Sequence, residues 1–358
     1  MKKVYYLVLC LFIFNETITA QIGGKNTYKY LAIPSSARAT MLGGSYNSIY
    51  DNDVSLAYKN PATLNAAMTK SMSLNYIAYY GGITYGNFNY IHDFKPATFQ
   101  FGATYVNYGQ LRNYNIYGDQ QGLMVANEVA LNVGAGKSYK DKYKFGANAK
   151  FLVSQFGEYN SVGMAFDLAV MYVDTARLVN ISFNVTNLGF QFKTFTKGNQ
   201  ELLPVDVQLS ISKRLKHVPF RFILTAHHLY TWDIRYDNPN NIQQSTNLLG
   251  EEAAETNSAV KVVDNIAKHL TFGAEIYMGK VITLGVAYNH LKRSELVTPD
   301  VIGLAGFSFG FGLKINRFQL QYGFAKYALP QSVNHLTLNI DLGKSIKYKK
   351  RKAKKENL

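Results

Sequence analysis

The sequence predicts an all-β fold: a transmembrane antiparallel outer-membrane β-barrel of about 14 strands, with an N-terminal plug or hatch segment. Three observations predict it. Segments of strand length alternate bulky apolar residues with small uncharged ones, only 17% of all residues are charged, and short connections alternate with long ones. A soluble antiparallel sheet usually turns a charged face to water. The uncharged polar face of these segments instead suits the inside of a membrane barrel.

The clearest alternation lies near the end of the chain. After the dipeptide Asn316-Arg317 the apolar residues move from odd to even positions. A two-residue hairpin requires this shift, so we predict that Ile315 pairs with Phe318. The same alternation places Phe309 toward lipid and Ser308 toward the lumen, so a lysine is expected to be tolerated better at Ser308. The apolar positions of these three strands are Phe307, Phe309, Phe311, Leu313, Ile315, Phe318, Leu320, Tyr322, Phe324, Leu336, Leu338, Ile340 and Leu342.

Alternation with period two also runs through most of the chain from Ser71 to Tyr288. Within it, Ile83–His92 changes its apolar parity near Gly86, which predicts a β-bulge there. The resulting number of strands is even. An even number places both ends of the barrel on the periplasmic side of the membrane.

The connections between the predicted strands alternate in length. The tight turns are predicted around Phe94–Pro96, Lys140–Lys142, Asp174–Arg177, Lys216–Pro219, Gly279-Lys280 and Asn316-Arg317. The long connections are predicted at Gly109–Asn127, Phe190–Leu203, Tyr230–Lys268 and Leu291–Val301. Short periplasmic turns and longer outer loops are typical of outer-membrane barrels. A soluble sandwich gives no reason for this segregation, so the membrane barrel is favoured.

The sequence divides into four predicted parts. Residues 1–20 are predicted to be a secretory signal peptide, because Lys2-Lys3 precede an apolar run that ends at the small residues Thr19-Ala20. The other parts are an N-terminal plug or periplasmic segment at 21–70, the barrel at 71–343, and a basic periplasmic tail at 344–358.

The segment 21–70 does not alternate and is rich in turn-forming residues. Asp51 and Asp53 are spaced like the ligands of a cation, but no calcium-binding loop follows them, and a turn is the favoured interpretation. Pro61 biases Asn60 away from helical geometry. We interpret the segment as short helices and turns that plug the barrel or cover its periplasmic mouth.

No catalytic residue, cofactor or metal site is predicted. The one cysteine, Cys10, lies inside the predicted signal peptide, so disulfides and thiolate metal sites are not expected in the exported chain. Gly306–Gly310 matches the hydrolase pattern G-x-S-x-G, but that motif works at a strand-to-helix turn and here lies in an alternating strand. His227 and His228 are predicted to point to opposite faces of one strand, so that they do not share a metal.

The net charge of +15 is unevenly distributed, with a basic run after Leu342. A nucleic-acid-binding module needs a basic face with stacking aromatic residues on a folded unit. A terminal tail on an exported protein does not meet this requirement, so no nucleic-acid partner is predicted. Outer-membrane lipid is the expected partner of the apolar barrel face.

The longest predicted connection is the candidate partner loop. Asn257-Ser258 are predicted to cap a short helix in it, and acidic residues precede that helix in an otherwise basic chain. A solvated loop is the favoured interpretation of these acidic residues, and an outer face for a partner is the alternative. Aromatic anchors commonly contribute much of the energy of an interface. The residues assigned to this loop are Trp232, Glu251, Glu252, Glu255, Val260, Val263 and Ile266.

Short motifs are spread over the whole chain. They are Leu31–Arg38, Leu42-Gly43-Gly44, Asn60-Pro61-Ala62, Lys268–Glu275, Tyr288–Leu296 and Gly306–Gly312. They resemble motifs of the PorQ family, outer-membrane components of the type IX secretion system. The element at Asn60 is also similar to PorV and to the FadL-like channels, whose barrels carry an N-terminal hatch. The matching residues are Pro34, Ser36, Ala37, Arg38, Gly43, Gly44, Asn60, Pro61, Ala62, His269, Gly273, Glu275, Asn289, Arg293 and Glu295.

The resemblance implies a non-enzymatic role. PorQ proteins are understood to belong to a cell-surface attachment complex with PorU, PorV and PorZ, and to anchor PorZ at the membrane. The resemblance therefore implies a PorZ-like surface partner, with PorU- and PorV-like proteins in the same complex. The alternative is a FadL-like outer-membrane channel for hydrophobic small molecules. The small polar residues predicted for the lumen disfavour that function, since such a channel needs an apolar pocket.

Overall fold

The computed structural model describes residues 26–234, 258–296, 304–326 and 332–343. Fourteen antiparallel strands form one closed barrel, in which β1 pairs with β14. The predicted antiparallel outer-membrane barrel is therefore confirmed. The strands are β1 (Ser71–Ala78), β2 (Thr84–Asp93), β3 (Thr98–Tyr114), β4 (Gln120–Tyr139), β5 (Tyr143–Phe156), β6 (Tyr159–Asp174), β7 (Val179–Lys193), β8 (Asp206–Arg214), β9 (Phe220–Ala226), β10 (Leu270–Met278), β11 (Ile282–Asn289), β12 (Phe307–Ile315), β13 (Phe318–Ala325) and β14 (Val333–Asp341).

The α-helices lie inside the barrel and at its outer end. They are α1 (Ala37–Met41), α2 (Ser258–Lys268) and α3 (His290–Leu296). Within the described ranges, no helix is both long and apolar enough to cross a membrane. The predicted signal peptide at 1–20 and the predicted basic tail at 344–358 fall outside the described residues.

Side chains alternate across the barrel wall. On β12, Phe309 is 38% exposed and its neighbour Ser308 is 2% exposed. Ile315 pairs with Phe318, which confirms the predicted hairpin. The other strands repeat this alternation of exposed large apolar side chains with buried small polar ones. The outer surface is thus apolar, and the lumen is lined largely by serine, threonine and asparagine.

The bulge predicted near Gly86 is wrong. β2 keeps one continuous register with both β1 and β3. The apolar parity changes there because Tyr85 points into the lumen, where it is 1% exposed and packs in a cluster with Tyr30 and Leu31. The register shifts occur elsewhere, between Asn107 and Gln110 and between Arg112 and Tyr114 on β3, and in the β6–β7 pairing. A large apolar residue that points into the lumen and packs against the hatch therefore produces the same change of apolar parity in the sequence as a bulge.

The barrel is taller on one side. β3 to β7 each have 14 to 20 residues, whereas β8 and β9 have nine and seven. The loop predicted at Gly109–Asn127 is accordingly mostly strand, and only residues 115–119 separate β3 from β4. Backbone pairing continues there although alternation is lost, because both faces of the hairpin are exposed above the membrane. The tight turns lie at the other end, as predicted.

The segment before β1, residues 26–70, fills the lumen and is called the hatch here. It consists of α1 and short 3-10 turns, and most of its side chains are buried. Small wall residues leave room for it. A Cβ on Gly146 would lie 2.2 Å from Pro61, and one on Gly310 would lie 2.6 Å from the Met41 Cβ. Close packing of the hatch therefore explains several lumen-face glycines, among them Gly136, Gly146, Gly285, Gly310 and Gly323.

Candidate functional site at the hatch and the outer mouth

A buried arginine joins the hatch to the barrel wall. Arg38, the second residue of α1, is 3% exposed. Its Nε lies 2.7 Å from Glu275 Oε1 on β10, while Nη2 lies 2.9 Å from Asp51 Oδ2 and Nη1 lies 3.0 Å from Asp53 Oδ2. One planar guanidinium thus holds three carboxylates, a geometry that arginine supports and lysine does not.

A second arginine completes this charged cluster. Arg221 Nη1 on β9 lies 3.2 Å from Glu275 Oε2, and the Tyr277 hydroxyl donates to the same oxygen at 2.5 Å. Burial by itself would raise the pKa of Asp51, but the charges of Arg38 and Arg221 hold it well below its usual range. The Asp51 carboxylate is therefore ionised at neutral pH, and the cluster is a set of buried and half-buried ion pairs rather than an acid–base pair.

Asp53 has both a local and a long-range role. Its carboxylate accepts from Ser55 N at 3.1 Å and caps a 3-10 turn, which agrees with the predicted turn. It also accepts from Gln321 Nε2 and Asn339 Nδ2, each at 2.7 Å, on β13 and β14. No group of three or more histidine, cysteine, aspartate or glutamate side chains in the described ranges could hold a metal ion.

Most of the motif residues meet at the contact between hatch and wall. Ser36 Oγ caps α1 by accepting from Ala39 N at 3.2 Å. Asn60 Nδ2 donates to Ser182 Oγ on β7 at 3.2 Å. Gly43 has φ +78° and its carbonyl accepts from Asn289 Nδ2 at 3.4 Å. The further motif residues that lie in or against the hatch are Pro34, Ala37, Gly44, Pro61, Ala62 and Gly273.

The remaining motif residues lie at the outer end. His269 follows α2, and its Nε2 lies 3.0 Å from the carbonyl oxygen of Trp232. Arg293 on α3 packs beside Gly306, where an added Cβ would lie 2.8 Å from the Arg293 Cβ. Glu295 pairs with Lys292 at 2.9 Å on the surface. These residues position the outer helices and do not touch the hatch cluster.

A second buried ion pair was not singled out by sequence analysis. Lys150 Nζ on β5 lies 2.6 Å from Asp167 Oδ2 on β6, and both side chains are 0% exposed. Lys150 also donates to Asn187 Oδ1 at 3.0 Å and lies over the Tyr58 ring of the hatch. The sequence signal was a lysine at a lumen position of an otherwise uncharged strand face.

The helix α2 is oriented opposite to an ordinary amphipathic helix. Its polar residue Asn265 is 3% exposed and donates to the Trp232 carbonyl at 2.5 Å, while Val263 is 66% and Ile266 44% exposed. Asp264 Oδ1 lies 3.2 Å from His290 Nε2 and so links α2 to α3. The apolar side chains Trp232, Val262, Val263 and Ile266 thus form an exposed surface, called the outer patch here.

Parts of the candidate partner loop are beyond the described residues. Glu251, Glu252 and Glu255 fall there, and the side chain of Val260 does too. The helix predicted after Asn257-Ser258 is present as α2. Its apolar side faces outward.

The prediction that His227 and His228 point to opposite faces of one strand is wrong. β9 ends at Ala226, and His228 has φ +56°, so that the Nδ1 atoms of His227 and His228 lie 2.7 Å apart instead of on opposite faces. His228 N donates to Asp206 Oδ1 at 2.7 Å. The adjacent rings contribute to the packing of the outer mouth.

An apolar groove of about 420 Å³ lies on the lipid side of β8 to β12. Ala274 lies opposite Phe222 on β9 and Val286 on β11, so a small side chain is surrounded by larger ones. The wall is thin beside it, because a Cβ on Gly273 would lie 3.5 Å from Leu42 Cδ2 of the hatch. Membrane lipid and hatch are therefore separated here by one layer of backbone.

Comparisons with known proteins give only distant likenesses. No family model matches the chain, and no curated protein matches it. Among solved structures, the Pseudomonas putida toluene transporter TodX has a TM-score of 0.48 and 12% identity, over 86% of this chain and 96% of that chain. A Pseudomonas aeruginosa FadL homologue has a TM-score of 0.43 and 11% identity, over 87% and 99%. TM-scores below 0.5 support no functional conclusion.

Proposed function

We propose that this protein is a non-enzymatic outer-membrane component of a type IX secretion attachment complex. Its outer end would hold a PorZ-like surface protein at the membrane, together with PorU- and PorV-like proteins. The outer patch is the observation that carries the proposal. A helix that buries asparagine and exposes valine and isoleucine loses stabilisation in water unless a partner covers it.

The hatch supports the same function. A barrel whose lumen is filled by a segment tied through Arg38 is suited to a fixed attachment point. The motif resemblance is independent support, since the motif residues lie in the hatch contact and around the outer helices. An anchor needs a stable wall and an outer binding surface, and it needs no passage through the lumen.

Two substitutions in the outer patch test the anchor. Val263→Glu combined with Ile266→Glu places charges on the exposed side of α2, and we expect the surface partner to be released into the medium. Leu202→Glu, at a residue that is 65% exposed in another outer loop, is the matched control and should retain the partner. If the α2 variant folds as a barrel and retains the partner, the outer patch is not the binding surface.

A channel for small hydrophobic molecules is the second candidate. The apolar groove beside Gly273 supports it, because an apolar solute in the membrane would meet the hatch there through a thin wall. TodX is named as a toluene transporter, but the groove and not that likeness is the reason for proposing this function. The anchor is preferred because the barrel wall separates the groove from the lumen and the hatch fills the lumen behind it.

One substitution separates the two functions. Ala274→Trp fills the groove from the lipid side without touching the outer patch. A channel predicts that cells carrying this variant take up a hydrophobic compound such as toluene more slowly, with surface attachment intact. An anchor predicts unchanged uptake and unchanged attachment for Ala274→Trp, and loss of attachment only for the α2 variant.

A further inference from the structure

The β3–β4 hairpin rises above the rest of the barrel as a two-stranded ribbon, residues 108–125. β2 pairs with β3 only as far as Thr84 opposite Asn107. β5 pairs with β4 only as far as Phe156 opposite Ala126. Beyond these pairs the ribbon has no further strand on either side within the described parts of the chain. Neither edge is therefore paired by a further strand, and the 3-10 turn Tyr80–Gly82 packs beside Gly109 only at the base of the β3 edge.

The pairing defines which backbone groups the ribbon leaves open. Gly157 N donates to the Val125 carbonyl at 2.8 Å, so Val125 points its backbone polar groups away from β3. In an antiparallel pair the opposite residue then also points its N–H and C=O outward. Gln110 lies opposite Val125, and Arg112 lies opposite Leu123. Both residues therefore direct an N–H and a C=O to the open edge of β3.

This edge lacks two of the usual protections of edge strands, proline and lysine. Natural proteins protect such edges with proline, lysine, a bulge or a covering segment. The ribbon contains no proline and no lysine, and its charged residues are Arg112 and Asp119. The β3–β4 register shifts twice, between Asn107 and Gln110 and between Arg112 and Tyr114, so the regular part of this edge runs from Gln110 to Arg112. Its tip exposes Ile116 by 91% and Tyr117 by 83%.

We infer that the β3 edge at Gln110 and Arg112 is a strand-addition site, which binds an extended segment of an exported polypeptide outside the membrane. A third strand would satisfy the open N–H and C=O groups and stabilise a ribbon that is marginal as two strands. The inference deepens the proposed function and rests on it for the statement that the outer end binds protein. It names a contact separate from the outer patch.

The chemistry of the edge favours a polypeptide over lipid or sugar. Gln110 and Arg112 repeat a donor and an acceptor about 7 Å apart along the strand, which is two residues of an extended chain. A partner strand in register therefore makes about four hydrogen bonds with them. A headgroup or a sugar has no such repeat, and it would bind through side chains instead.

A proline–threonine comparison tests the inference. Gln110→Pro with Arg112→Pro removes the two outward N–H groups, while Gln110→Thr with Arg112→Thr changes the side chains and keeps both N–H groups. A photoreactive p-benzoylphenylalanine replaces Tyr114 in both variants and in the parent chain, and cross-linking is measured in intact cells. Gel mobility of the unheated protein reports barrel folding.

We expect the parent and the threonine variant to give the same discrete cross-linked protein band. In the proline variant the yield of this band should fall about tenfold, which corresponds to the loss of two ordinary hydrogen bonds. Equal yields from the proline and threonine variants, whether high, low or absent, would overturn the inference. With equal cross-linking yields, release of the surface partner by the α2 variant but not by the proline variant would leave the proposed function standing and reject only strand addition. If the α2 variant and the proline variant both retain the surface partner, the proposed function is wrong.

Discussion

Arg38 joins the hatch to the barrel wall through its ion pair with Glu275. The motif resemblance singled out both Arg38 and Glu275, yet nothing in the sequence could pair two residues separated by 237 positions. Their meeting requires the register of β10 and the depth at which α1 lies in the lumen. Arg221 and Tyr277, which complete the cluster, were not predicted. Single residues of this site could thus be identified without their partners.

Removal of one charge tests the cluster. In Glu275→Gln the guanidinium groups of Arg38 and Arg221 stay buried with one carboxylate fewer, and we expect the free energy of unfolding to fall by roughly 3–5 kcal/mol. The measurement is urea unfolding of the barrel in detergent micelles, followed by gel mobility. Glu295→Gln breaks the exposed pair with Lys292 and should cost roughly 0–1 kcal/mol. Equal losses from the two variants would contradict a special role of the buried cluster.

Lys59 of the hatch gives a prediction for pH dependence. It donates to the Leu31 carbonyl, and burial, reinforced by the charge of Lys150, lowers the pKa of Lys59 to about 7. The unfolded chain holds this proton up to the ordinary lysine pKa of 10.5. Between these values the unfolded state binds more protons, so the free energy of unfolding rises with pH.

Lys59→Met should remove this rise. The stability difference between the parent protein and Lys59→Met is expected to shift in favour of the parent from pH 7 to pH 10, and to stay constant below pH 7. Thermal unfolding measured in detergent at several pH values provides the comparison. Parallel pH profiles of the two proteins would mean that the Lys59 amine titrates normally in the folded state.

At the scale of strands and helices, the predictions succeed where one face meets lipid and the other the lumen. That contrast repeats every two residues, and it made the hairpin at Asn316-Arg317 predictable. It disappears above the membrane, so the outer half of the β3–β4 hairpin was predicted as a loop. α2 could be predicted from its capping residues, but its orientation could not, because a buried polar side requires the partners supplied by Trp232 and His269.

A lysine on the lipid face tests the orientation of β12. Phe309→Lys is expected to cost about 2–4 kcal/mol near the middle of the membrane. The expectation that Ser308→Lys is tolerated needs correction, because the Ser308 hydroxyl donates to the Met41 carbonyl at 3.3 Å and the hatch leaves no space. Gln319→Lys, at a half-buried lumen position near the periplasmic turn, is the suitable control.

Urea unfolding of these variants gives the outcome. Phe309→Lys should lower the stability of the barrel much more than Gln319→Lys. If the two variants lose stability equally, residue 309 does not face lipid, and the assignment of the two faces of β12 is wrong.

At the scale of the whole molecule, closure of the sheet could be predicted from the strand number and the segregation of loop lengths. The height difference between the two sides could not, because it depends on strand residues outside the membrane. The filling of the lumen was only one of two interpretations of residues 21–70. Deciding between them requires the fit of Met41 and Pro61 against wall glycines, which is a property of three-dimensional packing.

Cysteine labelling tests the orientation in the membrane. In a chain whose native cysteine lies in the predicted signal peptide, Tyr117→Cys at the ribbon tip should react with a membrane-impermeant maleimide on intact cells. Ala176→Cys, in the exposed turn between β6 and β7, should react only after the cells are broken. Asn241, another outer-loop position for labelling, lies outside the described residues. Reaction of Ala176→Cys alone on intact cells would invert the topology.

The hatch begins at the outer end of the barrel, where Asn26 bridges Leu202, and it reaches β1 at the opposite end. The wall around it closes through the pairing of β1 with β14. The segment made first is thus enclosed by a seam made last. Because the hatch fills the lumen, a closed barrel leaves no room for it to enter afterwards, so the hatch and the β1–β14 seam must come together in the same folding step.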